Sequence, residues 1–254
     1  MTDLAAPSIV PSQPWVRREI IGGFELYHGD SEAILPILHR FDAVVTDPPY
    51  GIGMGRGVRG GGKGGHKGKY ARKPRAYSGG EWDRTRPSRS AIAALLAAAP
   101  THIVWGGQYL ADLLPVGEKW LYWDKLNGMP SYSDGELAWT SLEGVALKSF
   151  SWCNNGKASA REGRLHPTQK PVAVMEWCLG FLPGCRRIVD PYMGSGTTIV
   201  AAIRVGGFGG AGIERDAGHF ASACDRIAAA LEEAFVAPQL ISAAEAPVQL
   251  GLLD

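Results

Sequence analysis

Apolar and polar positions along the chain form two patterns, short apolar runs and longer segments with helical periodicity. The apolar runs predict strands, and the periodic segments that begin at polar capping residues predict helices. The predicted strands are 24–28, 41–46, 103–105, 120–123, 187–189 and a run that ends at Glu214. The predicted helices are 31–38, 88–99, 171–182, 197–205 and 217–235, while the aromatic stretch 131–157 has no assignable pattern. Because strands and helices alternate, the sequence predicts an α/β fold with a parallel sheet.

The composition indicates one packed domain over residues 1–254. Of these residues, 45% are hydrophobic and 20% are charged, which is the balance of a globular protein. The longest nearly apolar run, 91–100, is half as long as a membrane-spanning helix requires. Residues 1–14 lack the basic and apolar regions of a secretory signal. The four cysteines form no CxxC pair, so we expect reduced thiols, a cytoplasmic protein and no bound metal.

The charge is concentrated in one segment. The net charge of the chain is +1, yet residues 51–75 hold eight cations and no acidic residue. Ten glycines lie between Gly51 and Gly68, so we expect the segment 51–81 to be a mobile basic loop. Such a loop suits a polyanion such as DNA, because cations attract phosphates locally. The candidate DNA-binding residues are Arg56, Arg59, Lys63, Lys67, Lys69, Arg72, Lys73 and Arg75.

A glycine-rich motif follows the predicted strand at 187–189. Its sequence is Asp190-Pro-Tyr-Met-Gly-Ser-Gly-Thr-Thr198. Glycines allow a ligand to approach the backbone closely, and the start of the next helix favours an anionic group. Glu214 ends the following strand, where a carboxylate can accept hydrogen bonds from ribose hydroxyls. The Gly-x-Gly-x-x-Gly spacing of dinucleotide sites is absent, so a nucleoside ligand without pyrophosphate fits better. A tight turn without a ligand is the alternative.

A second motif, Asp47-Pro48-Pro49-Tyr50, ends the buried strand 41–46. Ligands of α/β sheets bind at this end of a strand. A carboxylate and a neighbouring carbonyl can together accept both hydrogens of an exocyclic amine, while the Tyr50 ring offers a stacking surface. The alternative is a structural Pro-Pro turn that is capped by Asp47.

Four motifs in this order resemble one family. TDPPYGIG, HPTQKP, DPYMGSGTT and GIERD are similar to motifs of the S-adenosylmethionine-dependent DNA amino-methyltransferases of the β arrangement, in which the catalytic tetrapeptide precedes the cofactor motif. The resemblance covers residues 27–231. It implies a Rossmann-like, seven-stranded sheet with circularly permuted motif order, and methyl transfer to a flipped base of double-stranded DNA. A tetrapeptide that begins with Asp is typical of members that methylate adenine N6.

The resemblance also implies roles for single residues. Asp47 and the Pro48 carbonyl would accept hydrogen bonds from the target amine, Pro49 would hold the turn, and Tyr50 would stack on the base. The residues implied to bind the cofactor, S-adenosylmethionine, are Asp30, His166, Thr168, Lys170, Asp190, Tyr192, Gly194, Ser195, Gly196, Thr197, Thr198 and Glu214. Asp30 has an alternative role as a helix cap, and 166–171 has one as a helix entry.

Several alternatives remain open at this point. Cytosine N4 is the alternative target, and a catalytically silent module that binds S-adenosylmethionine or DNA is the alternative to an enzyme. The chain lacks a sizeable recognition domain, so target recognition is expected from 51–81 and 126–165. A homodimer is a further hypothesis, as is a bacterial or phage origin with or without a restriction enzyme as partner. Residues 237–254 are predicted to be a flexible tail, whose Gln249-Leu-Gly-Leu-Leu253 resembles sliding-clamp peptides; an untethered apolar end is the alternative.

Overall fold

The computed structural model describes residues 13–53, 83–127, 133–153 and 169–244, the last eight of them by their backbone alone. Within these ranges the chain forms one sheet of nine strands in the order β1-β2-β9-β8-β3-β4-β6-β5-β7. The strands are β1 Trp15–Ile21, β2 Phe24–Gly29, β3 Ala43–Thr46, β4 Thr101–Trp105, β5 Trp120–Asp124, β6 Gly135–Thr140, β7 Leu147–Ser151, β8 Arg187–Asp190 and β9 Gly209–Glu214.

Helices cover both faces of the sheet, as expected for parallel strands that are buried on both sides. The helices are α1 Ser31–Ile34, α2 Arg89–Ala97, α3 Val172–Leu179, α4 Thr197–Val205 and α5 Ala217–Ala244. One apolar cluster joins the sheet to α3, α4 and the start of α5, and the other joins it to α1 and α2. Every residue of β3 is buried, because this strand lies in the middle of the sheet and touches both clusters.

The predicted α/β class is confirmed, but the number and direction of the strands differ from the prediction. Five neighbouring strands, from β2 to β4 in sheet order, are parallel. By contrast β1 is antiparallel to β2, and β6 is antiparallel to both β4 and β5. The described residues form nine strands where seven were expected. Three of the nine, β1, β6 and β7, have no counterpart among the six predicted runs. Strands β6 and β7 lie in the stretch 131–157 that has no assignable pattern, and β1 and β7 are edge strands whose side chains are mostly exposed.

The sheet contains a topological switch point. From β8 the chain crosses through α4 to β9 on one side, whereas from β3 it crosses through α2 to β4 on the other side. Strands β8 and β3 are neighbours, so the two crossovers diverge and leave a crevice beyond their carboxyl ends. Ligands of open α/β sheets bind in such crevices.

Two further observations concern the helices. Helix α5 continues to Ala244, beyond the predicted end at 235 and into the segment that was predicted to be a flexible tail. None of the helices in the described ranges combines the length and apolar character needed to cross a membrane.

Candidate active site

The carboxyl ends of the central strands bring the two sequence motifs together. Asp47 follows β3 and Asp190 ends β8, and these strands are paired side by side. The hydroxyl of Thr46 donates a hydrogen bond to Asp190 Oδ1 at 2.6 Å. Strand β9 lies on the other side of β8 and ends at Glu214. The tetrapeptide and the glycine motif therefore border the same crevice.

The tetrapeptide turn is fixed from both ends. The phenolic hydroxyl of Tyr50 donates to Asp47 Oδ1. The backbone N–H groups of Tyr50 and Gly51 both donate to Asp83 Oδ1, at 2.7 Å and 2.8 Å. Asp83 is only 1% exposed, so it is a buried cap for this turn. Asp83 was not predicted as a site residue, because nothing in its local sequence links it to a turn more than thirty residues earlier.

The ring of Tyr50 lies against the residues that follow β4. Gly106 has a φ of +70°, and a Cβ at this position would collide with Cε1 of Tyr50. Three residues later, Tyr109 stacks on Tyr50 with ring centroids 5.1 Å apart and an interplanar angle of 24°. Glycine at 106 thus permits the close approach that holds the Tyr50 ring in place.

Lys170 lies at the tetrapeptide. The family resemblance implies that it binds the cofactor. In the structure its Nζ is 2.8 Å from Asp47 Oδ2 and donates to the Tyr50 hydroxyl at 3.0 Å. It also contacts Glu136 Oε2 at 2.7 Å. On its other side, Glu136 Oε1 contacts Lys125 Nζ at 2.5 Å. The site therefore contains a chain of alternating charges, in the order Asp47, Lys170, Glu136 and Lys125.

The ionisation of this cluster follows from burial and from the alternating charges. Burial raises the pKa of Asp47, although Lys170 opposes the rise. Burial also acts to raise the pKa of Glu136, but Lys170 and Lys125 outweigh it and lower that pKa to about 2. Burial acts against the charged form of Lys170, yet Asp47 and Glu136 leave its pKa raised. Burial, followed by both carboxylates, raises the pKa of Tyr50 well above its usual value.

Asp190 is a buried carboxylate at the base of the crevice. It is 3% exposed and accepts hydrogen bonds from the hydroxyls of Thr46 and Thr198 and from the N–H of Tyr192. No cation contacts it among the described residues. Burial therefore raises its pKa to about 6, against the opposing effect of these hydrogen bonds.

The glycine turn and Glu214 form one unit. The N–H of Gly194 donates to Glu214 Oε2 at 3.0 Å, and the N–H of Asp216 donates to Oε1 at 2.7 Å. Gly194 has a φ of +53° and its Cβ position faces open space. Gly196 has a φ of +79° and is the residue from which α4 begins. The turn thus presents its backbone to the crevice, beside a half-buried carboxylate whose pKa burial raises.

The remaining cofactor candidates occupy different environments. Asp30 caps α1, because its carboxylate accepts from the N–H of Glu32 at 3.0 Å; it also follows β2, the neighbour of β9. The Tyr192 side chain packs against the apolar cluster under α1 and α2. Arg226, which was not predicted as a site residue, reaches from α5 to donate to the carbonyl and hydroxyl oxygens of Ser195 and to the Thr197 hydroxyl.

Part of the predicted site lies outside the described residues. This applies to His166 and Thr168, to all eight candidate DNA-binding cations and to the clamp-like peptide at the end of the chain. Of the second predicted recognition segment, 126–165, the structure describes residues 126–127 and 133–153. No group of three or more potential metal ligands occurs in the described part of the chain.

Comparison with protein families gives a match over part of the chain. Residues 104–224 match the family model N6_N4_Mtase, described as DNA methylase. The match covers slightly less than half of the chain and includes the glycine motif and Glu214. It confirms the resemblance to DNA amino-methyltransferases that the sequence motifs indicated. The comparison with curated proteins gave no match.

Comparison with solved structures identifies the fold. A crystal structure of an M1.HpyAVI–SAM complex is 21% identical, with a TM-score of 0.53, over 80% of this chain and 98% of that chain. The PvuII DNA methyltransferase, which is cytosine-N4-specific, is 16% identical with a TM-score of 0.51, over 87% and 95%. At these identities the likeness concerns the fold alone, and it confirms the Rossmann-like methyltransferase sheet.

Proposed function

Because residues 104–224 match the DNA methylase family model N6_N4_Mtase, we propose that the chain methylates DNA with S-adenosylmethionine as the methyl donor, and that its target is the N6 amino group of adenine. One observation carries the proposal. The tetrapeptide with Asp47 and Tyr50 and the glycine motif with Asp190 end two paired strands at the switch point of the sheet. A methyl donor in one half of the crevice would therefore face an amine in the other half.

The residues in the cofactor half fit S-adenosylmethionine. Gly194 leaves open space above a turn whose backbone is exposed to the crevice. The carboxylate of Glu214 is held at the rim by two N–H groups and retains lone pairs for ribose hydroxyls. Asp190 is a buried carboxyl group. In its ionised form it would favour the positive charge of the methionine part of the cofactor. When bound, the cofactor supplies an electrophilic methyl group on a sulfonium centre.

The residues in the other half suit an exocyclic amine. The lone pair of adenine N6 is delocalised into the ring, so the amine is a poor nucleophile in its planar form. Asp47 and the Pro48 carbonyl would accept its two hydrogens and favour a more tetrahedral nitrogen. Tyr50 would stack on the flipped base, and such stacking contributes roughly 1–3 kcal/mol. The proposed catalysis consists of positioning and electrostatic stabilisation.

Adenine is proposed over cytosine because of the first residue of the tetrapeptide. Asp47 resembles the adenine-N6 members, whereas cytosine-N4 members usually have Ser at this position. The same pair of acceptors would suit cytosine N4, so the two targets differ in the product and not in the chemistry. The basic residues of segment 51–75 are proposed to contact DNA phosphates, which would leave the crevice free for the flipped base.

Product analysis tests the proposal. The purified protein is incubated with unmethylated duplex DNA and S-adenosylmethionine, and the DNA is digested to nucleosides for mass spectrometry. We expect N6-methyladenine. N4-methylcytosine would contradict the target, and the absence of both products from DNA that the protein binds would contradict the enzyme activity.

Variants at Asp47 test the catalytic assignment. We expect Asp47→Ala and Asp47→Asn to abolish methyl transfer while the affinity for S-adenosylmethionine stays within a few-fold. Lys170 keeps its second carboxylate, Glu136, in these variants, so the buried ammonium remains paired and the fold should persist. Asp225→Asn, at an exposed position on α5, is the control for loss of a carboxylate elsewhere. A near-normal rate in the Asp47 variants would show that the assignment is wrong.

A further inference from the structure

We propose that Glu136 and Lys170 are positioning residues for the methyl transfer: Glu136 anchors the Lys170 ammonium, and Lys170 holds Asp47 as an ionised hydrogen-bond acceptor. This inference rests on the proposed function and adds two residues to it. It explains why a conspicuous ion pair lies at the tetrapeptide, away from the glycine turn.

The donors and acceptors of Lys170 match in number. An ammonium group has three N–H donors, and Lys170 Nζ has three oxygen partners. These are Asp47 Oδ2 at 2.8 Å, Glu136 Oε2 at 2.7 Å and the Tyr50 hydroxyl at 3.0 Å. The Lys170 side chain is 4% exposed, so water cannot easily replace a lost partner. With every donor used, Lys170 is suited to orienting Asp47 and Tyr50 and not to binding a ligand directly.

Three separate elements position this arrangement. Lys170 precedes α3, Asp47 follows β3, and Glu136 lies in β6, which is antiparallel to β4. The Lys170 ammonium also lies over the ring of Trp105, 4.9 Å from its centroid. Trp105 is fully buried, so its ring is held in place by packing and stabilises the ammonium by a cation–π interaction. Glu136 is in turn held by Lys125 at 2.5 Å.

The charges that face Asp47 determine how each substitution should act. Lys170 contacts Asp47 directly, and Glu136 and Tyr50 belong to the same cluster. Asp190, on the neighbouring strand β8, adds a second carboxylate that interacts electrostatically with Asp47. Lys170 acts to lower the pKa of Asp47, whereas Glu136 acts to raise it. Removal of the Lys170 charge should therefore raise the pKa of Asp47, and removal of the Glu136 charge should lower it.

Ionised Asp47 acts only as an acceptor at both oxygens, whereas protonation turns one oxygen into a donor and weakens it as an acceptor for the target amine. The acidic limb of the pH–rate profile should consequently follow the Asp47 pKa. In Lys170→Met this limb should move to higher pH by about one unit, and kcat should fall by about tenfold or more. In Glu136→Gln the limb should move to lower pH, with a several-fold lower kcat because Lys170 loses its charged anchor. KM for S-adenosylmethionine should change little in either variant.

A matched control separates this network from a general effect of charge. Lys148→Gln removes a cation from an exposed position on the edge strand β7, outside the charge cluster at Asp47, and leaves both direct contacts of Asp47 intact. We expect its acidic limb to coincide with that of the wild type. Lys170→Arg keeps the charge but replaces the ammonium by a planar group with different donor directions. The acidic limb of its pH–rate profile should stay at the wild-type pH while its kcat falls. This combination is expected if Lys170 acts by positioning Asp47.

Titration of the ligand-free protein makes the inference independent of turnover. The carboxyl carbons of ¹³C-labelled aspartates are followed by NMR across pH, and the Asp47 signal is identified by its absence in Asp47→Asn. We expect this signal to titrate at higher pH in Lys170→Met and at lower pH in Glu136→Gln. If Lys170→Met does not fold, Glu136→Gln and Lys170→Arg carry the test. An Asp47 titration and pH limb unchanged in Glu136→Gln overturn the inference, whereas the absence of methylation by the wild type would overturn the proposed function instead.

Discussion

The buried carboxylate of Asp190 should make the stability of the fold depend on pH in an unusual direction. Three hydrogen-bond donors surround it, but no described cation does. Burial raises its pKa from the ordinary value of 3.8 to about 6. Since a raised pKa means that the folded protein binds the proton more tightly than the unfolded chain, the contribution of Asp190 to stability falls as pH rises through this interval.

The size of this loss of stability follows from the difference between the folded and ordinary pKa values of Asp190. Each pKa unit corresponds to about 1.4 kcal/mol. A shift of roughly two units therefore predicts that ionisation of Asp190 destabilises the folded state by about 3 kcal/mol between pH 4 and pH 7. The carboxamide in Asp190→Asn cannot ionise, so this variant does not lose that stability as pH rises. The free energy of unfolding of the variant, relative to that of the wild type, should rise by up to about 3 kcal/mol over the same interval.

Urea denaturation at a series of pH values measures the difference. Wild type and Asp190→Asn are unfolded in parallel between pH 4 and pH 7.5, and the difference in unfolding free energy is plotted against pH. The carboxamide can still accept from one threonine hydroxyl, and the other threonine can reverse its bond, so the variant should fold.

Asp42 provides a control with the opposite sign. Its carboxylate accepts from the N–H groups of Arg187 and Arg186, and these bonds lower its pKa. Its contribution is present above the unfolded-state pKa and is lost as pH falls, so Asp42→Asn should lose stability relative to wild type as pH rises. If the difference for Asp190→Asn does not change with pH, or changes in the same direction as that for Asp42→Asn, the argument from burial is refuted.

Three other predictions concern the crevice and the basic segment. Gly106→Ala should abolish most of the methyl transfer, because its Cβ would displace the Tyr50 ring. Gly23→Ala is the control: it has the same cost of about 1 kcal/mol for a positive φ, but its Cβ would meet no neighbouring atom, so it should keep full activity in the same assay. Glu214→Ala should weaken S-adenosylmethionine binding by roughly ten- to hundred-fold, since it removes a charged acceptor worth about 1.5–3 kcal/mol; calorimetry that gives an unchanged dissociation constant would exclude the role. Replacing four cations of the segment 67–73 by Ala should flatten the slope of log affinity for DNA against log salt by roughly two to four units; an unaltered slope would mean that these side chains do not contact the phosphates.

The sequence alone determined the features that depend on residues close together in the chain. The apolar run before Asp47 identified a buried strand, and β3 is buried throughout. The periodic segment after Gly196 identified α4 with the bounds that the structure has, Thr197–Val205. Asp190 and Glu214 were recognised at strand ends because each carboxylate follows an apolar run directly. Since parallel strands share one edge for their carboxyl ends, these locally recognised motifs lie beside one another at the same edge of the sheet.

The tertiary structure decided what depends on contacts between distant parts of the chain. The edge strand β1 was not predicted because its charged, exposed side chains resemble those of a loop, and only its pairing with β2 makes it a strand. The position of Lys170 was decided in the same way. Its motif resembled a cofactor segment, but the fold brings its ammonium to Tyr50, 120 residues away, and to Glu136, 34 residues away. Such partners leave no local pattern, because a buried charge is satisfied by whichever opposite charge the packing of strands and helices brings within reach.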